Sequence, residues 1–413
     1  MRSELAIFGG SPTFSAQPTD LCESISQRTL HYVEGRLRDG KISIVDGDDL
    51  ERFESLGAAL FGGKYGAAMC TGTAAIHAGL TALHVGAGDE VIVPTYAYHG
   101  TAIPVCVTGA KPIFVDVDPD TMTLDPQAVA RAITSRTKAI IVLLPFGNMP
   151  FVDALVKLSK SHNIPLLADA SHAHGALWAD RGLCEFFDVV AVSFGKGKLI
   201  SGGELGLVAS NRESVRDTCL AYHHTNRVPK AIPHSSLSKF HNALSIKYRP
   251  HGLAVSLAAS RIEEYPEVFA QLSKCGDKFM QQLTEIPGLE PLKTPSVARR
   301  SYWNPCIKYD PVCVAGLTAE QFTRVLRADG VPAEVSHYST LLHEMNIFKD
   351  YYGVKTWADL QQSTIHTNRL VHIPHRFFFD EQSVEKLLCL LRRVVTHFEN
   401  REENFEKEMR VSA

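Results

Sequence analysis

"SFGKGKLISGGELG", residues 193–206, decides how this chain is read, because two lysines and five glycines follow directly on the apolar run "DVVAVSF". A lysine set into a semi-buried cleft after a strand is costly unless its amine is used, in an ion pair or in an imine with a carbonyl. A phosphate-binding lysine is the competing reading. A P-loop fails, since "GKGKLISGG" lacks the G-x-x-x-x-G-K-[ST] spacing and no helix signal follows.

Working outward, the preceding 140 residues alternate between helical and strand patterns. "DDLERFESLGAALFG" puts Leu50, Phe53, Leu56 and Leu60 at helical spacing behind an acidic start, with Gly62 and Gly63 as the stop. "TAAIHAGLTAL" repeats that period, "DPQAVARAIT" starts a helix with proline just inside, and "FVDALVKLSKSH" is a further helix. "DEVIVP", "KPIFVDV", "KAIIVLLP", "IPLLADA" and "DVVAVSF" read as short strands. Strands apolar on both faces and separated by helices predict an α/β domain with a mostly parallel sheet sandwiched by helices. After residue 252 the texture changes. "LAVSLAASRIEEYPEVFAQLSKC" is a helix, "YWNPCIKY" a strand and "EQSVEKLLCLLRRVVTHFEN" an amphipathic helix, followed by the charged tail "REENFEKEMR". The expected division is an N-terminal arm over 1–30, a large α/β domain over 31–252 and a smaller α+β domain over 253–413.

In open α/β sheets, function lies at the carboxyl ends of the strands. Besides the lysines, three such positions are chemically loaded. "CTGTAA", residues 70–75, offers free backbone amides at a helix N-terminus, which suit an anion such as phosphate; an ordinary capped helix would look the same. "PTYAYHG" carries Tyr96 and Tyr98, either of which could stack on a flat heterocycle or simply pack at the rim. "LLADASHAHGA" ends a strand on Asp169, a carboxylate that holds charge in a partly dry pocket only when paired. A metal site built from Asp169, His172 and His174 has neither the spacing of a zinc motif nor an evident further ligand, so no metal is expected. Taken together, an anion cradle, a ring, a strand-end carboxylate and a strand-end lysine are the parts that hold pyridoxal 5′-phosphate.

Composition sets the outer limits. With 413 residues, 45% hydrophobic, the chain is long enough for one large domain and a smaller one. The net charge of −3, from 42 basic and 45 acidic residues, gives no footprint for nucleic acid or an anionic membrane, so small molecules or other protein chains are the expected partners. Nine cysteines stand singly without a C-x-x-C pair and read as reduced thiols. The opening "MRSELAIFGGSPTFSAQ" has too short an apolar stretch for a signal peptide, and no apolar span suits a transmembrane helix. The expected address is the cytoplasm.

The chain resembles the DegT/DnrJ/EryC1/StrS family of sugar aminotransferases, pyridoxal-phosphate enzymes on the fold of aspartate aminotransferase. The resemblance rests on "LAIFGGSP", "FESLGAALFGGKYGAAMCTGTAAIHAGLTAL", "GAGDEVIVPTYAYHGTA", "DASHAHGA", "SFGKGKLISGGELG" and "HYSTLLHE". It implies that Lys198, not Lys196, forms the imine with the cofactor, with Ser193 and Glu204 as the motif's serine and glutamate. It further implies phosphate contacts from Gly72, Thr73 and Ser193, stacking by Tyr98, pairing of Asp169 with the pyridine nitrogen, and a bond from His172 to the ring hydroxyl. The glycines of the lysine loop would let backbone approach the cofactor.

Two positions depart from the family pattern. Leu205 stands for a glycine, and Lys247 in "SIKYRPHG" stands for the asparagine that reaches the partner subunit's cofactor phosphate. "LAIFGGSP" with "KYRPH" is similar to the branch acting on aminocyclitols and related ketones. The implied reaction carries an amino group from glutamate or glutamine to a keto-sugar or keto-cyclitol, in a homodimer with shared sites, with His343 and Lys247 as substrate-binding candidates. Rival readings are elimination or carbon–carbon chemistry on the same cofactor and a non-catalytic regulator. The dehydratase relatives replace the lysine with histidine, so Lys198 argues against that route. A nicotinamide dehydrogenase would need a G-x-G-x-x-G after the first strand, which is missing.

Overall fold

Short strands that read as continuous apolar runs do so because both of their faces are covered. The computed structural model describes residues 4–224, 227, 246–351 and 360–399, and in it seven such strands form one sheet. They are β1 (Tyr65–Met69), β2 (Glu90–Pro94), β3 (Lys111–Val115), β4 (Thr137–Leu143), β5 (Leu166–Asp169), β7 (Val189–Ser193) and β8 (Gly206–Ser210). Spatial order is β1-β8-β7-β5-β4-β2-β3, and β2, β3, β4, β5 and β7 run parallel. Only β8 is reversed, pairing antiparallel with both β1 and β7. The expected mostly parallel sheet is therefore present, and its carboxyl ends open at one edge.

The helices between these strands follow the sequence signals closely. Helix α1 (Gln27–Arg38) precedes α2 (Asp49–Leu60), which buries Leu50 and Phe53 and stops before Gly62 at φ +71°. Helix α3 (Gly72–Ala82) begins behind the side chain of Thr71, which accepts from the amide of Ala74 at 3.0 Å. Next come α4 (His99–Val107), α5 (Pro126–Ala132) capped by Asp125, and α6 (Val152–His162). After β8, α7 (Glu213–His223) leads to the long α8 (Gly252–Leu283), which continues through Pro266.

Beyond α8 the small sheet is antiparallel, in the order β12-β13-β11-β9. Its strands are β9 (Leu289–Pro291), β11 (Cys306–Tyr309), β12 (Glu334–Val335) and β13 (Leu370–His372). Helices α9 (Ala319–Ala328), α10 (Gln361–Thr367) and α11 (Glu381–Glu399) accompany it. A two-strand ribbon of β6 (Leu177–Trp178) and β10 (Ala298–Arg299) ties it to the large sheet.

The run "YWNPCIKY" is a strand only from Cys306 on. Asn304 takes φ +41° and Pro305 has no amide to donate, so the segment before them turns out of the sheet. That turn delivers Trp303 to the site described below. Within the stretch expected as an arm over 1–30, Ala6 and Thr13 lie on the small-sheet side, where Asp329, fully buried, accepts from their amides at 3.2 and 3.1 Å and pairs with Arg393 at 2.6 Å, and from Gln27 the chain is already in α1. The charged tail "REENFEKEMR" lies outside the described residues.

Candidate active site

A cleft of about 420 Å³ opens at the carboxyl ends of β1, β2, β5 and β7, faced from the small sheet by residues that follow β12. Gly72, Thr73, Tyr98, Asp169, His172, Ser193 and Lys198, picked from separate stretches of sequence, all line it. Each reaches it for a local reason.

Thr71 spends its side-chain oxygen on capping α3, and helix geometry leaves the amides of Gly72 and Thr73 without intrahelical acceptors. A Cβ on Gly72 would meet Ser193 Cβ at 2.6 Å, so only glycine lets β7 and the helix start come together as an anion cradle. Asp169, the last residue of β5, is 4% exposed. Its two oxygens are held separately: Thr101 donates to Oδ2 at 2.7 Å, and Ser171 donates to Oδ1 from its hydroxyl at 2.6 Å. Neither hydroxyl was marked by the sequence patterns, although both lie within a few residues of marked positions. Of the two tyrosines, Tyr96 is fully buried and Tyr98 is 53% exposed at the cleft, so Tyr98 is the ring free to stack.

His172 is buried, and burial first, then the nearby positive charge of Lys198, holds its imidazole well below the usual range. It is therefore neutral. Its Nδ1 accepts from the amide of Phe146 at 3.3 Å, which leaves Nε2 as the nitrogen that donates. His174, two residues on, turns into apolar packing against Phe194 at 5.1 Å and is depressed to about 3 by burial. Asp169, His172 and His174 do not converge on one point.

The loop from 194 to 205 is pinned across itself, with Lys196 N–H bonded to Gly203 O at 2.7 Å and Gly202 N–H to Phe194 O at 2.9 Å. Gly197 and Gly203 adopt φ +78° and +93°, with open space where a Cβ would stand. Their positive φ is a conformational need for glycine, whereas Gly72 is required by the close approach of Ser193. Lys196 is exposed at the rim and Lys198 is part-buried within. Burial lowers the Lys198 amine to about 8, against the opposing pull of Asp169.

Two expected site residues stand elsewhere. His343 is held by Thr95, whose hydroxyl lies 2.6 Å from its Nδ1, and does not line the cleft. His337 and Tyr338, six and five residues earlier, fill that place, because the chain enters the cleft directly after β12 and has left it before 343. Lys247 is exposed and is not among the residues lining the cleft of its own chain. Sequence reading missed Trp303, His337, Tyr338, Thr101 and Ser171.

The donor set fits pyridoxal 5′-phosphate: amides and a hydroxyl around a Cβ-free cradle, a buried carboxylate, a neutral donating imidazole and a lysine of lowered basicity. Fold and cleft together define a pyridoxal-phosphate enzyme built like aspartate aminotransferase. Over residues 23–392 the chain matches the DegT/DnrJ/EryC1/StrS aminotransferase family, and it belongs to that family. A candidate L-glutamine:3-amino-2,3-dideoxy-scyllo-inosose aminotransferase of Streptoalloteichus tenebrarius is 30% identical over 352 residues, 84% of this chain and 83% of the relative. The L-glutamine:scyllo-inosose aminotransferase of Streptomyces griseus is 29% identical over 343 residues, 80% of each chain. In the crystal structure of 3-amino-5-hydroxybenzoic acid synthase, a chain 25% identical superposes with a TM-score of 0.81 over 92% of this chain and 100% of that one. The chain is thus an aminotransferase with pyridoxal 5′-phosphate as cofactor.

The cradle yields a first prediction. Gly72→Ala drives a methyl group into Ser193 and is expected to cost about 1–3 kcal/mol of unfolding free energy and, by displacing Ser193, at least about tenfold in cofactor affinity. Urea unfolding and equilibrium dialysis with pyridoxal 5′-phosphate measure the two; if neither changes, the close approach of Ser193 to Gly72 is not a constraint.

Proposed function

We propose that this aminotransferase carries an amino group from glutamine or glutamate to a ketone on a cyclitol or sugar ring, in aminocyclitol or aminosugar biosynthesis. The observation that carries the reading is the meeting of Lys198, Asp169, His172 and the Gly72 cradle in one cleft. The acceptor class is supported by relatives whose names specify scyllo-inosose and its amino-dideoxy derivative. When bound, pyridoxal 5′-phosphate supplies an aldehyde that takes up amines and a ring that withdraws electrons.

The chain's own residues do the rest. The amides of Gly72 and Thr73 and the Ser193 hydroxyl would hold the phosphate, and Tyr98 would cover one face of the ring. The Asp169 carboxylate would pair with the ring nitrogen, and His172 would donate from Nε2 to the ring oxygen. Lys198 would hold the cofactor through its aldehyde and, as a free amine, would move the proton at the substrate carbon. An amine lowered to about 8 suits that task, being partly unprotonated near neutral pH. The test is single turnover: loaded enzyme mixed with one amino acid at a time, followed by absorbance. Glutamine or glutamate is expected to convert the lysine-linked band, and failure of every amino acid to do so would rule out transamination.

We further infer a homodimer in which Lys247 serves the neighbouring chain's phosphate, a reading supported by its exposure outside its own cleft. Lys198→Ala and Lys247→Ala homodimers are each expected to be weak. Mixed after mild dissociation, they form hybrids with one intact site, and activity should recover to about a quarter of wild type. No recovery despite hybrid formation would place Lys247 outside the neighbouring site. The nine cysteines, all free, support a cytoplasmic address. No helix among the described residues is long and apolar enough to cross a membrane.

A further inference from the structure

Trp303 comes from the small-sheet side, 5% exposed, and touches three parts of the site at once. Its indole N–H donates to the carbonyl of Gly197 at 2.6 Å, the residue just before the lysine. The Lys198 Nζ stands over its ring, 4.5 Å from the centroid. The imidazole of His172 stacks on it at 3.7 Å and 19°. The segment that carries it is itself fixed: the Ser301 hydroxyl donates to the His172 carbonyl at 2.7 Å, and the Ser301 amide to Gly147 O at 3.1 Å.

A lysine side chain has several freely rotating bonds, so the backbone bonds that pin its loop do not fix where the amine lies. An aromatic face attracts a cation at this distance, and a buried donor with a single carbonyl partner fixes that partner in turn. We propose that Trp303 is a positioning residue for the covalent step: its N–H sets the Lys198 loop and its face holds the amine where the cofactor aldehyde arrives. In that step the held ammonium loses one proton to solvent, the free amine adds to the aldehyde carbon, and the aldehyde oxygen leaves as water with the amine's two hydrogens. The proposal deepens the proposed function and rests on Lys198 being the linking lysine.

The experiment separates positioning from binding. Apo-protein is mixed with pyridoxal 5′-phosphate, and the rate of covalent capture is read from absorbance. Affinity for pyridoxine 5′-phosphate, which lacks the aldehyde, is read from fluorescence. Trp303→Phe removes the N–H and keeps a ring; capture is expected to slow about three- to fivefold. Trp303→Leu removes both and should slow it at least about twentyfold. Pyridoxine phosphate affinity should fall less than capture in both variants, since the phosphate cradle is untouched and His172 keeps its bond from the Phe146 amide when the stack on Trp303 is lost. Capture at the wild-type rate in both overturns the proposal, as does a loss of pyridoxine phosphate affinity that matches the loss of capture. Should Trp303→Leu fail to fold by circular dichroism, Trp303→Phe decides by the same criteria. Lys198→Ala run alongside identifies the other failure: if it captures the aldehyde, the linking lysine has been misassigned and Trp303 is not at fault.

Discussion

Lys198→Ala abolishes the lysine-linked absorbance of the cofactor and lowers turnover by about 10⁴-fold, the upper range for losing a positioned acid–base group. On the proposed reading the loss is that large because one amine has two duties, anchoring the aldehyde and moving the proton, and no neighbour can take over either. Lys196 is the obvious substitute, yet it is exposed at the rim, and the bond from its amide to Gly203 O fixes the backbone that aims it. Lys196→Ala should therefore leave the absorbance intact and change turnover by less than about threefold. The amine also sets the pH dependence. Capture of the aldehyde needs the unprotonated form, and burial places the amine at about 8, so the capture rate should rise with pH through a midpoint near 8. Folding stability follows the same group. Its folded value lies below its value of 10.5 in the open chain, so the unfolded chain binds more protons between these limits, and stability from this residue increases with pH across that window. Stopped-flow capture at fixed ionic strength measures the first; a midpoint near 10.5 would mean that the amine stands in water.

Much of this site could be read from sequence for a specific physical reason. Parallel strands are buried on both faces, so each is a continuous apolar run with a visible end, and the residue at that end is the one the sheet presents. Asp169, the Gly72 turn and the pair of lysines are found in that way, whereas Ser193 and the choice of Lys198 over Lys196 come from the family resemblance. What escaped is whatever reaches the cleft across the fold. Thr101 and Ser171 grip Asp169 as ordinary hydroxyls in ordinary helix and turn positions. Trp303 hides in a stretch that reads as strand until Asn304 and Pro305 break it, and its meeting with Lys198 depends on a tertiary approach that no periodicity encodes. His343 shows the opposite failure, in which a familiar local motif suggested a site residue that the fold gives to Thr95. Lys247 has no place in a single-chain cleft, and a sequence pattern cannot say on its own whether such a residue serves a second chain.

Asp169→Asn tests the other half of the site, with two readings that move in different ways. The carboxylate is 4% exposed; in the variant the amide oxygen can keep the Oδ1 place, where the Ser171 hydroxyl and N–H donate, and the NH2 then donates to a Thr101 hydroxyl that turns to accept, so an amide of the same shape stays in place. What disappears is the charge. A buried ion pair that loses one partner costs about 3–5 kcal/mol, so turnover should fall about 10²- to 10⁴-fold with the cofactor still bound through its phosphate. Asp169 is also the one group that raises the basicity of Lys198 against the effect of burial. With that charge gone, burial acts alone, and the capture midpoint should fall below its starting value of about 8. A merely damaged pocket would admit water and move the midpoint upward, so the direction distinguishes the two cases. If turnover collapses while the midpoint stays put or rises, Asp169 supports the pocket's shape and not its charge, and the assignment of that carboxylate to the ring nitrogen has to be abandoned.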